Sequence, residues 1–194
     1  MGELSSTPAA DGSVEQRLAR LGLELPAAPA PLGRYERGVV SAGVAFLSGQ
    51  LPVRDGRLAF AGRVGAELTE AQAQEGARLA ALNALAQIRA LLGSFSRFER
   101  LLRVDGYVAA ADGWLDAPRV LDAASALFVD VLGERGRHAR AAFLVPRLPL
   151  DAPIELVVTF GARDSTATNG VFADAATAIV GGHENCCIGS RHVR

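Results

Sequence analysis

The segment from Thr69 to Gly93 constrains the fold of this chain more than any other. Thr69 and Gln72 have capping-box spacing, in which the hydroxyl takes an orphan amide and the carboxamide returns to the cap. Gly93 supplies the residue type that turns left-handed and stops a helix. Between them Ala73, Ala77, Ala80, Ala84, Ile88 and Leu91 recur at helical spacing, and Ala81 widens the stripe. A helix whose apolar face is mostly methyl groups can lie close against a sheet, so the rest of the chain should supply one.

The strand signals are present on both sides. Ser13-Val14-Glu15-Gln16 opens a short helix that Gly22 ends, and Leu25 to Pro31 is too proline-rich for helix or inner strand. Glu36 to Ser41 and Val44 to Ser48 flank an Ala42-Gly43 turn. Asp55-Gly56 marks a second turn between Leu51-Pro52-Val53 and Leu58-Ala59-Phe60. After the long helix, Arg97 to Ala110 predicts a strand with Leu102, Val104, Gly106 and Val108 on one face and Arg103, Asp105 and Tyr107 on the other. Pro118 to Leu132 predicts a second helix, with Asp116 as its cap and Gly133 as its stop. An apolar strand around Arg140 follows, then a Leu148-Pro149 turn and an adjacent apolar strand around Glu155 that runs to Phe160. The order predicts an α+β two-layer sandwich: a mixed sheet of about six strands with two main helices on one face. The other face needs a cover, which predicts a homo-oligomer.

Composition narrows the function classes. With 194 residues, 49% hydrophobic and 21% charged, the chain suits one globular domain, placed at residues 13–162. Residues 1–12 and a 163–194 extension are expected to be largely disordered. A net charge of −1 provides no field toward nucleic acid or an anionic membrane. The chain has no lysine, so its arginine count reflects coding bias more than function. No signal peptide is visible and no apolar run approaches the ~18 residues that span a bilayer, so a cytoplasmic location is expected. Cys186 and Cys187 are adjacent and cannot make a disulfide framework. His183-Glu184-Asn185-Cys186-Cys187, with His192 beyond, fits no zinc signature. No P-loop, dinucleotide fingerprint or nucleophile elbow is present, and no metal or cofactor is expected.

Four positions could carry a site, each with a plainer reading beside it. Arg140, among Ala139, Ala141 and Ala142, would stand in an uncrowded cleft and clamp a carboxylate, or would serve as an edge arginine in an ion pair. Glu155 could orient a water or act as a general acid/base, or could face solvent. Tyr35, just before the first strand, could reach a ligand or simply pack. Gly49 in Ser48-Gly49-Gln50 could admit a ligand to the backbone or mark a bulge. Ala142 lies two beyond Arg140 on the same strand, and His138 reads as structural.

Several stretches together resemble the Rid (YjgF-like) family, also known as L-PSP endoribonucleases. They are Pro31-Leu32-Gly33-Arg34-Tyr35, Phe46-Leu47-Ser48-Gly49-Gln50-Leu51-Pro52, Ala81-Leu82-Asn83-Ala84-Leu85, and Gly136-Arg137-His138-Ala139-Arg140 through Leu148-Pro149 to Ile154-Glu155. The Gly-Arg-His-Ala-Arg form is similar to the YjgF/chorismate mutase-like putative endoribonuclease branch. The resemblance implies a chorismate mutase-like homotrimer with ligand clefts between subunits. It also implies hydrolysis of reactive 2-imino or 2-enamino acids, made by pyridoxal phosphate enzymes, to 2-oxo acids and ammonia. By position, Arg140 would clamp the substrate carboxylate and Glu155 would help place the water. Tyr35 and Gly49 would line the cleft from a neighbouring subunit or the facing strand. Ala142 stands where the family often has cysteine, and would act through its backbone carbonyl. Asp122 stands near a common asparagine, and Val157 replaces a second glutamate. A non-enzymatic carboxylate binder of the same fold is the alternative, and an endoribonuclease the third.

Overall fold

The computed structural model describes residues 13–31 and 33–163. The expectations for residues 1–12, for the extension beyond Arg163, and for His183, Cys186, Cys187 and His192 lie outside the described residues.

The chain begins with α1 (Val14–Arg20), closed by the Ser13/Gln16 capping box in both directions. A hairpin of β1 (Gly38–Ser41) and β2 (Val44–Leu47) turns through Ala42 and Gly43, both at positive φ, the turn whose twist suits antiparallel strands. β3 (Val53–Arg54) and β4 (Arg57–Leu58) turn the same way through Asp55-Gly56. Helix α2 (Glu70–Leu92) carries the full Thr69/Gln72 capping box and ends at left-handed Gly93. The remaining elements are β5 (Phe98–Ala109), α3 (Ala117–Leu132), β6 (Ala139–Val145) and β7 (Ile154–Ala162). Asp116 precedes α3 without a side-chain cap, contrary to expectation; Pro118 in the first turn pre-sets the helical φ instead.

The main sheet runs β1-β2-β7-β5-β6, with β5 and β6 parallel and the other pairs antiparallel. It has five strands rather than about six, because β3 and β4 pair only with each other. A second correction concerns the Arg140 and Glu155 strands. They are not adjacent: β5 lies between β6 and β7, pairing with both.

The helices pack on one face of the sheet. Ala73, Ala77, Ala80 and Ala84 of α2 and Val120, Leu121, Ala124, Leu127 and Phe128 of α3 are fully buried. They share one core with Leu101, Val104 and Val108 of β5 and Ile154, Leu156, Val158 and Phe160 of β7. Each large side chain removed from water there contributes roughly 1.5–3 kcal/mol. Gly106 lets α3 seat directly on β5, since a Cβ would overlap the Leu121 side chain. Inner-face membership differs from the expectation at one residue. A register shift between Leu101 and Arg103 makes two β5 residues oppose one on β7, so Leu101 is buried and Leu102 is exposed.

The opposite sheet face carries Phe46, Tyr107, Phe143, Glu155, Val157 and Thr159, all intermediate or exposed. Tyr107 and Phe143 stack across β5 and β6 at 5.0 Å. Arg103 caps the row by donating Nε to both Asp105 oxygens, at 2.8 and 2.9 Å. Among the described residues no helix is long and apolar enough to cross a membrane.

Candidate functional site

The candidate residues fall into two groups on opposite faces of the sheet. Arg140 pairs in register with Val104 and Ala142 with Gly106, which places both on the helix side of edge strand β6. Glu155 pairs with Tyr107, which places it on the open side of β7. One chain therefore does not bring Arg140 and Glu155 together.

The first group is built around Glu155. The chain leaving β2 crosses to β7 through Gln50, whose amide and carbonyl both bond Leu156, at 2.8 and 3.0 Å. Ser48 braces the turn by donating Oγ to the Glu36 carbonyl at 2.7 Å, and Gln50 donates Nε2 to the Ser48 carbonyl at 2.8 Å. The loop beyond is held from beneath: buried Asn83 of α2 donates Nδ2 to the carbonyls of Leu51 and Val53, both at 2.9 Å. One helical turn on, Gln87 donates to the Pro29 carbonyl and ties down the proline-rich lead-in. These anchors hold Gly49 directly against the Glu155 carboxylate, where a Cβ would overlap it. Tyr35, Ser48, Gly49, Leu51, Pro149 and Glu155 line an open cleft of about 440 Å³.

Glu155 is half-buried, and burial pushes its carboxyl above the usual carboxylate range. Among the described residues nothing donates a hydrogen bond to it. The folded protein thus holds this proton more tightly than the unfolded chain. Its contribution to stability is complete below the unfolded carboxylate value and is lost as pH rises through the higher folded value. Glu155→Gln has no charge to bury. It should melt higher than wild type at about pH 7, and the two should converge below about pH 4. Thermal melting across that range checks this.

The second group is built around Arg140, whose side chain is 23% exposed. Its Nη1 donates to Asp122 Oδ1 at 2.8 Å and to Ser125 Oγ at 3.1 Å, both from α3. Ser125 Oγ lies 3.2 Å from His138 Nε2, and His138 Nδ1 lies 2.6 Å from the Gly136 carbonyl. Burial pushes His138 below the ordinary imidazole value, with a smaller push from the Arg140 charge and an opposing pull from the Gly136 carbonyl. The site is therefore not the uncrowded cleft that its alanine neighbours suggest. Two polar side chains fix one guanidinium nitrogen, with His138 behind Ser125, while no described residue accepts from Nε or Nη2. That edge offers two parallel N–H groups, the geometry a carboxylate takes bidentately. Asp122 and Ser125 are three residues apart and so share one face of α3, which carries Arg119 and Asp130 as well. Among the described residues no group of three metal-ligating side chains is clustered.

The chain is similar to known proteins over nearly the whole described region. Residues 15–162 match the family described as "YjgF/chorismate mutase-like, putative endoribonuclease". Protein TCP17 of Trypanosoma cruzi is 38% identical over 148 residues, 76% of this chain and 92% of that protein. The crystal structure of Atu1372 from Agrobacterium tumefaciens, a protein of unknown function, is 38% identical with a TM-score of 0.72; 77% of this chain and 92% of that chain are covered. A putative endoribonuclease from Shewanella oneidensis is 34% identical with a TM-score of 0.75, covering 77% of this chain and 99% of that one. With matching motifs, matching fold and this extent of identity, the chain belongs to the YjgF/chorismate mutase-like family.

Proposed function

We propose that the protein hydrolyses reactive 2-imino or 2-enamino acids to 2-oxo acids and ammonia, at sites shared between copies of the chain. The observation that carries this reading is the Arg140 guanidinium, fixed at Nη1 and with no described residue accepting along its Nε–Nη2 edge. Such an edge matches the two oxygens of a small carboxylate.

The chemistry asks little of the protein. A protonated imine is already electrophilic at carbon. Water adds its oxygen to that carbon while losing a proton, and the C=N π pair moves to nitrogen. That proton then reaches the nitrogen; as the C–N bond breaks and the C=O bond forms, the hydroxyl proton passes to the departing ammonia, giving a 2-oxo acid and ammonium. Glu155, with its raised proton affinity, suits the task of taking the proton from water and returning it to the leaving nitrogen. Arg140 supplies orientation and a fixed charge, and the Ala142 carbonyl is a further acceptor on the same strand. No metal or cofactor enters these steps.

Two half-sites on opposite faces suit an assembly in which Arg140 and Ala142 of one copy meet Tyr35, Gly49 and Glu155 of the next. The exposed sheet face, with Phe46 at 49% and Phe143 at 41%, suits a homotrimer interface. The endoribonuclease activity in the family's description would call for phosphate contacts, which a net charge of −1 favours less. A dehydratase that releases 2-aminoacrylate provides the test. Purified protein should speed the appearance of pyruvate beyond the uncatalysed rate. Saturable binding of 2-oxo acids with no such acceleration would favour a carboxylate-binding role instead.

A further inference from the structure

We propose a second small-molecule site on this chain, in the cleft between the proline-rich lead-in and the β3–β4 turn. Its ligand is a compact apolar molecule that carries an N–H or O–H donor and no negative charge. The cleft shares no lining residue with the one beside Glu155.

Two carboxamides one turn apart on α2 lie beneath this region. Asn83 is 0% and Gln87 3% exposed. Each directs its NH2 at backbone carbonyls, Asn83 at Leu51 and Val53, and Gln87 at Pro29. Turning either amide over would set oxygen against oxygen, so their orientations are fixed. Asn83 Oδ1 and Gln87 Oε1 are then buried acceptors to which no described residue donates. Such an atom has lost its water without replacement until some other group donates to it.

The spaces beside the two amides differ. Gln87 borders a pocket of about 40 Å³, which suits an ordered water. Asn83 borders a cleft of about 340 Å³. An apolar cavity of roughly 150 Å³ already holds benzene. Pro26, Pro29, Pro31, Leu58 and Leu150 supply apolar wall. The prolines have no N–H to offer, and Asn83 Nδ2, the one side-chain donor among the described lining residues, is already committed. The side-chain polar groups left are acceptors: Asn83 Oδ1 and, at the exposed turn, the Asp55 carboxylate. A wall whose side chains accept and do not donate selects a donor-bearing ligand and rejects a carboxylate, the reverse of the Arg140 edge.

Indole tests this, because it is apolar and has one N–H and no acceptor. Calorimetry should show saturable binding of indole to the purified protein, unchanged in Arg140→Ala. 1-Methylindole lacks the N–H and should bind roughly tenfold more weakly, since the Asn83 oxygen is again left without a donor. Indole-3-acetate should bind Arg140→Ala more weakly than indole does. Ala27→Trp, at an exposed lead-in position on the cleft wall, should weaken indole by roughly tenfold or more while the melting temperature holds. Leu150→Trp, at a residue 62% exposed, repeats the block from another part of the wall. Equal affinity for 1-methylindole, or indole binding untouched by both tryptophan variants, would overturn the proposal. So would the absence of saturable binding to wild type, which would leave the cleft to water or to another part of the chain. Tighter binding of indole-3-acetate than of indole to Arg140→Ala would overturn the exclusion of anions.

Discussion

Arg140→Ala should lower kcat/KM for 2-aminoacrylate by roughly 10²- to 10³-fold while the protein stays folded. On the proposed reading the variant loses two charge-assisted hydrogen bonds to the substrate carboxylate, and it leaves Asp122 without its cation. Losing one member of such a pair costs about 2–5 kcal/mol in binding, and each 1.4 kcal/mol is tenfold. Stability should change far less. Asp122 is largely exposed, so solvent screens the ion pair and its removal costs about 1 kcal/mol or less. Arg140→Lys should recover little, because an ammonium on a flexible stem cannot present two parallel donors. Steady-state kinetics with a melting curve on each variant separates lost chemistry from lost fold. Near wild-type rates in a folded Arg140→Ala protein would remove Arg140 from the mechanism.

Gly49→Ala should abolish most activity at almost no cost in stability. The added methyl would occupy the space of the Glu155 carboxylate. Glu155 is a flexible side chain on an open face, so it can swing aside without disturbing the core. With Glu155 as the proposed general base, its displacement forfeits a proton-transfer contribution of roughly 10²-fold or more. Because both changes disable one group, Gly49→Ala combined with Glu155→Gln should be no slower than Glu155→Gln alone. Rate losses that multiply would mean Gly49 acts through something other than Glu155.

Local signals in this chain were legible, and nonlocal ones less so. The capping boxes at Ser13/Gln16 and Thr69/Gln72, the turn residues Ala42-Gly43 and Asp55-Gly56, and the alanine stripe of α2 each depend on neighbours within a few positions. Each appears in the structure where the sequence places it. The bulge that exchanges Leu102 for Leu101 is set by pairing with β7, some sixty residues away, and periodicity cannot report it. The short β3–β4 pair reads as strand, but nothing local says whether it joins the main sheet. Strand order is likewise nonlocal, so the Arg140 and Glu155 strands look adjacent in sequence while β5 separates them. The residue types of the site were visible, and the resemblance supplied their roles. The polar set that fixes Arg140 was not: Asp122, Ser125 and His138 converge only when α3 lies over the start of β6.

The central claim is that one copy supplies Arg140 and the next supplies Glu155. Co-expression of Arg140→Ala and Glu155→Gln chains with different tags, followed by isolation of the mixed assembly, tests it most directly. With residues on different copies, some interfaces pair the intact Arg140 of one variant with the intact Glu155 of the other. A mixed trimer has one such interface in three, so about a third of wild-type activity should return from two inactive parents. A mixed assembly no more active than its parents would contradict the shared site.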